Sequence, residues 1–309
     1  MKTTFRKYNA ARDFLQVRDF LKDTFFAFDT LINWGFERWN WARYHPCVFD
    51  SKDPAKIEAN IRFWENAVGL WENESGQIVG VVHTEMPFPN EDVFLERRPG
   101  YEFLLDEMID YAEATRVDSN TKRLRMDPYE YDEAWQAAAE KHGYRQDPNS
   151  LAHTSELLMT KIPQKNLPEG FDVRSMAEGG DPALRCKVQG LGFDHSDPAE
   201  WMTPAEYREV QRAPDYRDDF DLYVVGPDGE YVSCCIIWFD DLNNVGVFEP
   251  VCTHPDFRRR GFGREVMMEG IRRVAALGAT TFYVGSNQQF YQSLGFDTKY
   301  GCYTWAKEF

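Results

Sequence analysis

The sequence has no long apolar run. Nowhere in its 309 residues is there a stretch of about 20 consecutive apolar side chains, the length that a bilayer-spanning helix needs. Residues 1–8 also lack the apolar run of a secretory signal. These absences argue against a membrane partner and predict a cytoplasmic protein.

Positive charge is scarce. The chain has 35 lysines and arginines against 51 aspartates and glutamates, which gives a formal net charge of −16. Because a nucleic-acid backbone binds clustered Lys and Arg, this balance argues against a nucleic-acid partner. The balance is compatible with a cationic substrate such as an amine, and equally with solubility alone.

Metal-binding and disulfide patterns are also missing. The 6 histidines and 6 cysteines include no Cys-x-x-Cys and no His-Glu-x-x-His, so no metal is expected. Cys234 and Cys235 lie in an apolar run, where free thiols behave as small hydrophobic side chains. The pattern predicts reduced cysteines, which again indicates the cytoplasm. The cysteines are Cys47, Cys186, Cys234, Cys235, Cys252 and Cys302.

The chain does contain enough apolar material for two domains. Hydrophobic residues make up 43% of it and aromatic residues 15%, and its length exceeds that of a typical single domain. A stretch with Pro and Gly at residues 163–170 is the predicted linker. We therefore predict domains at residues 1–162 and 163–309. The aromatic-rich residues 34–45 are interpreted as packing, with a pocket or an interface between the halves as alternatives.

The C-terminal half shows a regular order of elements. An Asp-Gly turn within residues 226–229 separates apolar runs and predicts a hairpin. Apolar residues recur with helical spacing over residues 265–277. The predicted strands are 171–174, 221–225, 231–239, 245–253, 280–284 and 300–306, with helices near 205–211, at 265–277 and at 289–294.

The N-terminal half resembles a less regular copy of this order. It has a predicted hairpin (67–71 and 78–85), a helix (102–114), a strand (122–126), a second helix (135–142) and a closing strand (151–160). Both halves have a late helix that ends in Gly followed by an aromatic residue. We interpret the similarity as an internal duplication.

One loop has the composition of a phosphate-binding site. A predicted strand ends near Thr253, and the pattern Arg258-x-x-Gly261-x-Gly263 then opens a helix. Glycines let the backbone approach a ligand closely, and the first N–H groups of a helix are unpaired donors at the positive end of its dipole. The arginines add charge. By itself the pattern is also typical of a tight turn beside solvated arginines.

Two motifs together resemble the signatures of the GNAT superfamily of N-acetyltransferases. The Arg258 to Gly263 loop looks like its acetyl-CoA-binding motif, and residues 290–296, Phe-Tyr-Gln-Ser-Leu-Gly-Phe, look like its second signature. They stand in the expected order, one predicted helix and one predicted strand apart. The resemblance covers residues 171 onward, and the whole chain is similar to tandem GNAT proteins. It implies an α+β fold of two tandem GNAT-like domains, each a mixed, mostly antiparallel sheet flanked by helices.

By this resemblance, acetyl-CoA is the expected cosubstrate. It would pair with the backbone of Val251 and Thr253, in a gap between the strand before the loop and the strand after the helix. The N-terminal half has Pro99 and no paired glycines at the corresponding residues 96–101, so we predict that it binds no acetyl-CoA. The residues expected to contact the cofactor are Val251, Cys252, Thr253, Arg258, Arg259, Arg260, Gly261, Phe262, Gly263, Arg264, Asn287 and Tyr291.

Two residues are candidates for proton transfer. Tyr291 matches the family tyrosine assigned as the acid for the departing thiolate, with a packed core aromatic as the alternative. Glu249 is the candidate base, because strand alternation puts it on the same face as Val251 and Thr253. The alternative for Glu249 is a surface carboxylate at the edge of the strand.

The resemblance therefore implies an N-acetyltransferase. It would move an acetyl group from acetyl-CoA to a primary amine of a small molecule or peptide. Transfer of another short acyl group from CoA is the second choice. The alternative is a non-catalytic acetyl-CoA-binding sensor or regulatory protein. The acceptor stays open among an amino acid, a polyamine, an amino sugar or antibiotic and a peptide N-terminus. The oligomeric state stays open too, with a homodimer as one alternative.

Overall fold

The computed structural model describes residues 2–45, 53–86, 91–117, 121–159 and 166–309. Cys47 and residues 163–165 of the predicted linker lie outside these ranges. The chain divides into two compact units. The first holds most of the described residues up to 153 together with Tyr300–Phe309, and the second holds the described part of Thr154–Lys299.

Several helices begin at strong sequence signals. Asp53, Asp181 and Thr203 each cap a helix through a side-chain oxygen, and each is followed by a proline at the first helical position. In chain order the described elements are β1 (Thr3–Lys7), α1 (Ala10–Thr24), α2 (Phe36–Tyr44), α3 (Pro54–Ala67), β2 (Gly69–Asn73), β3 (Ile78–His83), β4 (Phe94–Arg97), α4 (Leu105–Arg116), β5 (Arg123–Met126), α5 (Glu133–Lys141), β6 (Arg145–Gln146), β7 (Ala152–Leu158), β8 (Asp172–Ser175), α6 (Pro182–Gly192), α7 (Pro204–Val210), β9 (Asp221–Val225), β10 (Tyr231–Asp240), β11 (Val245–Thr253), α8 (Phe262–Ala275), β12 (Thr281–Val284), α9 (Gln289–Ser293), β13 (Asp297–Cys302) and β14 (Trp305–Glu308).

The first unit contains two sheets. One is antiparallel with the strand order β1-β2-β3-β4, and the other has the order β5-β14-β6. Helix α4 contributes Met108, Ile109 and Ala112 to a core that also includes Trp71 and Leu95. The spacing of the three helical residues puts them on one face, which explains why this segment folds against a sheet.

The second unit is built on a seven-stranded sheet with the order β13-β7-β12-β11-β10-β9-β8. Strands β8 to β11 are antiparallel neighbours, whereas β11 and β12 run parallel. Helix α8 buries Val266, Met267 and Ile271 in the core of this unit. Gly270 allows the close approach, because a Cβ there would lie 3.2 Å from the ring of Phe248.

The strands predicted to close each half are exchanged between the units. Strand β7, predicted for the N-terminal half, pairs with β12 in the second unit. The predicted last strand at 300–306 is two strands, and the second of them, β14, pairs with β5 in the first unit. The sequence analysis placed each strand in the half to which it belongs by position, and the observed pairing differs because alternation along a strand does not specify its neighbour. The predicted single boundary between residues 162 and 163 therefore does not describe which strands belong to which unit.

Most of the other predicted elements of the C-terminal half are confirmed. Residues 221–225 and 245–253 form β9 and β11 as predicted, and the helix predicted from residue 265 is α8, which begins earlier, at Phe262. Helices α1, α3 and α6 were not predicted individually. No helix among the described residues combines the length and the apolar character needed to cross a membrane.

Candidate functional site

Strands β11 and β12 separate beyond a short parallel ladder. The ladder joins Val245 to Thr281, Gly246 to Phe282 and Val247 to Tyr283. Strand β11 continues to Thr253, and in the part of the chain that the structure describes this extension pairs only with β10. One edge of β11 after Val247 is therefore open to an extended ligand, and it lies where the family resemblance implied a gap.

A bulge interrupts β11 beside this gap. Phe248 pairs with Ile237 and Val251 pairs with Cys235, so three steps along β11 match two steps along β10. Phe248 and Val251 consequently share a face, although strict alternation would put them on opposite faces. The alternation that placed Glu249 on the face of Val251 and Thr253 does not hold here, and this part of the prediction is corrected.

The predicted loop ends at the N-terminus of α8. Gly261 is the residue before the helix and has φ 87°, a left-handed conformation that glycine adopts without strain. Gly263 is needed for a different reason, because a Cβ there would lie 3.0 Å from the Thr253 hydroxyl and 3.1 Å from the Phe290 ring. The first N–H groups of α8 have no acceptor within the helix, and together with the helix dipole they are suited to an anion.

A cavity of about 900 Å³ lies over this helix terminus. The end of β11, the loop and α9 each contribute to its wall. Of the predicted cofactor residues, those that line it are Val251, Cys252, Thr253, Arg258, Arg259, Gly261, Phe262, Gly263, Arg264 and Tyr291.

The arginines of the loop have different environments. The Arg258 guanidinium donates to the carbonyls of Gly192 and Thr253 and to the Asp194 carboxylate, at 2.9, 3.2 and 2.8 Å. Arg264 donates to the buried Glu265. Arg259 is exposed, has φ 61° and makes no ion pair within the described residues. Arg259 is thus the cavity-lining arginine whose charge is available to a ligand.

Two of the predicted contact residues do not line the cavity. The Arg260 guanidinium lies over the rings of Phe171, Phe257 and Phe262, with distances of 5.8, 5.0 and 5.2 Å to the ring centroids. Asn287 accepts a hydrogen bond from the Gln292 amide through its backbone carbonyl. Motif spacing alone does not separate a side chain that faces the loop interior from one that covers the protein surface.

Tyr291 combines a packed ring with a place on the cavity wall. Its side chain is 8% exposed and contacts Phe290 and Phe296, with ring centroids 5.0 and 6.1 Å away. Burial, and then the nearby charge of Glu249, raise the pKa of Tyr291 to about 12. Both readings of this residue, packed aromatic and proton donor, are therefore compatible with its surroundings.

Glu249 is half-buried and lies in the bulge itself. It does not line the cavity directly, but it is close enough to Tyr291 to act on that hydroxyl electrostatically. The buried Trp238 indole N–H donates to the Glu249 carbonyl at 2.8 Å and so fixes the backbone at this position.

The sequence analysis missed one wall of the cavity. The end of α6 contributes Gly192, Phe193 and Asp194 to the lining. Asp194 has φ 64° and binds Arg258, so it joins the end of α6 to the loop. The Asp181-Pro182 start signal and the apolar residues of α6 would have predicted the helix, but not its position against β11.

In the first unit, two arginines lie within residues 96–101, the positions that correspond to the loop, and both pair with residues of that unit. Arg97 is buried and forms a paired contact with Asp132 at 2.7 and 2.8 Å. Arg98 donates to the Ile78 carbonyl at 2.9 Å and pairs with Asp23. Both guanidinium groups therefore pair with carboxylates of their own unit.

Comparison with known proteins agrees with this geometry. Residues 192–296 match the model of the Acetyltransferase (GNAT) family. None of the curated protein sequences matches the chain. The structure resembles a GCN5-related N-acetyltransferase from Sphaerobacter thermophilus over 99% of this chain and 95% of that one, with 13% identity and a TM-score of 0.55. It also resembles a tandem GNAT protein from the clavulanic acid biosynthesis pathway over 99% of this chain and 98% of that one, with 13% identity and a TM-score of 0.59.

These findings define a two-domain acyl-CoA N-acyltransferase fold, as the sequence predicted. The stretch that matches the GNAT family model, residues 192–296, contains the loop, α8 and α9.

Proposed function

We propose that the protein transfers an acetyl group from acetyl-CoA to a primary amine of a small molecule or peptide. The observation that carries this proposal is the open edge of β11, which leads directly into the glycine loop and the N-terminus of α8. An extended chain that ends in phosphates matches both parts, since the strand edge offers backbone partners and the helix terminus offers N–H donors.

The residues present fit acetyl-CoA as the cosubstrate. The backbone of Val251 and Thr253 would pair with its pantetheine arm, and the loop from Arg259 to Gly263 would hold its diphosphate. Gly261 is suited to this role because nothing lies within 4 Å of the position that a Cβ would occupy. When bound, acetyl-CoA supplies an acetyl group activated as a thioester.

Two side chains would handle protons. The Tyr291 hydroxyl keeps its proton at neutral pH and would donate it to the departing thiolate. Glu249 would accept the proton of the attacking amine through water, since it stands beside Tyr291 without lining the cavity itself. The net charge of −16 favours the approach of a cationic amine over that of an anion.

Charge reversal at Arg259 tests the cofactor site. We expect Arg259→Glu to weaken acetyl-CoA binding by about 10- to 100-fold, because it replaces a donor for phosphate with a repelling charge. Arg260→Glu should have a smaller effect, since that guanidinium lies on aromatic rings. Calorimetric titration of the full chain measures both affinities and the stoichiometry, which we expect to be one acetyl-CoA per chain.

Arg212→Glu is the matched control for Arg259→Glu. Arg212 is an exposed arginine of the same unit, paired with Glu209 and outside the cavity wall. No binding by the wild-type chain would refute the proposed function. Two bound molecules per chain would refute the prediction that the N-terminal half binds none. Binding without acetyl transfer to a broad panel of amines would favour the sensor over the enzyme.

The pH profile tests the role of Tyr291. Because the pKa of Tyr291 is raised to about 12, the hydroxyl should stay protonated, and kcat/KM for acetyl-CoA should show no decline caused by this residue below about pH 11. A tyrosine with the usual pKa would be half ionised near pH 10. The measurement compares the wild type with Tyr291→Phe between about pH 8 and 10.5. A decline near pH 10 in the wild type that is absent from the variant would contradict the expected protonation.

A further inference from the structure

Two cysteines face each other across strands β10 and β11. Cys234 and Cys252 are directly paired in the antiparallel ladder, and their sulfur atoms lie 3.3 Å apart. Both are free thiols. The neighbouring Cys235 points to the other face of the sheet, where its thiol contacts the Val266 carbonyl at 3.7 Å. Only one member of the adjacent pair Cys234–Cys235 therefore meets Cys252.

The geometry suits a disulfide between these two residues. Directly opposed residues of antiparallel strands have Cα atoms about 4.5–5.5 Å apart, which lies within the range of disulfide bonds, about 4.4–6.8 Å. The sulfur atoms need to approach by roughly 1 Å to reach a bond length of about 2.05 Å. Rotation of two side chains supplies most of that movement, so the strands can keep their register.

The two residues differ in their distance from the cavity. Cys234 is fully buried, whereas Cys252 is 7% exposed and forms part of the cavity wall. The end of α6 lies close to Cys252, since a Cβ on Gly192 would be 2.6 Å from the Cys252 sulfur. The cavity therefore reaches the residue Cys252 and not Cys234, and the Cys252 sulfur lies just behind the wall, where it contacts the Val188 carbonyl at 3.6 Å.

The surroundings support a thiolate at this pair. Burial raises the pKa of the Cys234 thiol, but the Cys252 S–H and the nearby Arg185 guanidinium outweigh burial, and the net direction is a lowered pKa. Arg185 is itself buried, and its Nη2 has no hydrogen-bond partner in the described chain. The hydrogen bond with Cys234, and then burial, raise the pKa of the Cys252 thiol well above its usual value, so the charge of the pair rests on Cys234. Because the two sulfurs lie 3.3 Å apart, Cys252 becomes the thiolate only when its proton passes to Cys234.

From this arrangement we infer that Cys234 and Cys252 form a redox-modification site, at which a hydroperoxide that enters the cavity is reduced and the pair becomes a cross-strand disulfide. In the first step Cys252 passes its proton to the Cys234 thiolate and attacks an oxygen of hydrogen peroxide: the S–O bond forms, the O–O bond breaks, and the leaving hydroxide takes the proton held by Cys234, so that the products are a sulfenic acid and water. In the second step the Cys234 thiolate attacks the sulfenic sulfur: the S–S bond forms, the S–O bond breaks, and a second water leaves. The two thiols lose two electrons and two hydrogens, and hydrogen peroxide becomes two waters.

Peptide mapping of the wild-type full chain tests this site without any substitution. The protein is treated with hydrogen peroxide, its remaining thiols are alkylated, and it is digested. Because no Lys or Arg lies between Arg217 and Arg258, trypsin leaves all three cysteines on one peptide, and a second cleavage at Asp240 is needed. We expect the fragment with Cys252 to be disulfide-linked to the fragment with Cys234 and Cys235, with the loss of two alkylatable thiols.

Three variants assign the sulfurs. Cys235→Ala should form the same disulfide at an unchanged rate, and it is the matched control because it is adjacent and buried. In Cys234→Ala, the Cys252 sulfenic acid should persist and be trapped by dimedone. In Cys252→Ala, no dimedone adduct should form on Cys234. A disulfide that uses Cys235, a link between two chains, survival of both thiols, or dimedone labelling of Cys234 would overturn the inference.

A last experiment tests whether the cavity gives access to Cys252, and it rests on the proposed function. We expect saturating acetyl-CoA to slow formation of the disulfide at least tenfold, because it would cover Cys252. Unchanged oxidation of a chain that binds acetyl-CoA by calorimetry would overturn the access route through the cavity. Absence of binding by calorimetry would be a failure of the proposed function, and the peptide map would still decide whether the cysteine pair reacts.

Discussion

Replacing Tyr291 with phenylalanine is expected to lower kcat by about 100-fold or more, the usual contribution of a positioned proton donor. The substitution removes the hydroxyl and keeps the ring, which packs against Phe290 and Phe296. The hydroxyl makes no hydrogen bond to another described residue, so its removal should leave stability and the affinity for acetyl-CoA nearly unchanged. Steady-state rates of thiol release, together with calorimetric binding, measure these effects separately.

The control for this variant is Tyr223→Phe. Tyr223 is also a buried tyrosine of the second unit, but its ring stacks on Tyr231 and does not line the cavity. We expect its kcat to match that of the wild type. If Tyr291→Phe keeps kcat within twofold, the ring of Tyr291 serves only for packing and the proton comes from another group.

Removing the Asp221 carboxylate is expected to destabilise the protein by about 3–5 kcal/mol. Asp221 and Arg185 are both fully buried, and the Arg185 Nε donates to Asp221 at 2.7 Å. The hydroxyls of Tyr207 and Tyr216 also donate to this carboxylate. Asp221→Ala leaves a buried guanidinium without its counter-charge. It also removes the acceptor of two hydroxyls, and only one of them can donate to the other, 3.2 Å away.

Asp219→Ala is the matched control for the buried pair. Asp219 pairs with Arg217, but their side chains are 40% and 45% exposed, so its loss should cost about 0–1 kcal/mol. Scanning calorimetry of the full chain is the suitable measurement, because the two units need not unfold in one transition. For Asp221→Ala we expect one transition to fall by about 6–20 °C. A shift no larger than that of Asp219→Ala would show that the buried network is not a major source of stability.

The local features of the site were readable from the sequence. Glycine is needed at position 261 because the chain takes φ 87° there. The pattern Arg258-x-x-Gly261-x-Gly263 predicts a helix N-terminus, whose first N–H groups have no acceptor within the helix. The Asp-Gly turn and the apolar runs beside it predicted β9 and β10 for the same reason, since turn conformation and strand alternation depend on neighbouring residues. The resemblance to the superfamily, and the expectation that the C-terminal half holds the cofactor loop, followed from these local signals.

Tertiary structure decided which strands are neighbours and which side chains face the cavity. Strands β7 and β14 each pair with a strand from the other half of the sequence, and a strand pattern carries no information about its partner. The bulge at Glu249 reverses the alternation, because it depends on the register with β10. Contacts between residues distant in sequence also determine the different environments of Arg258, Arg259 and Arg260. The same holds for the contact between Cys234 and Cys252. Local conformation is set by adjacent residues and is visible in the sequence. The direction in which a side chain points and the partner of a strand are set by packing, and they appear only in the fold.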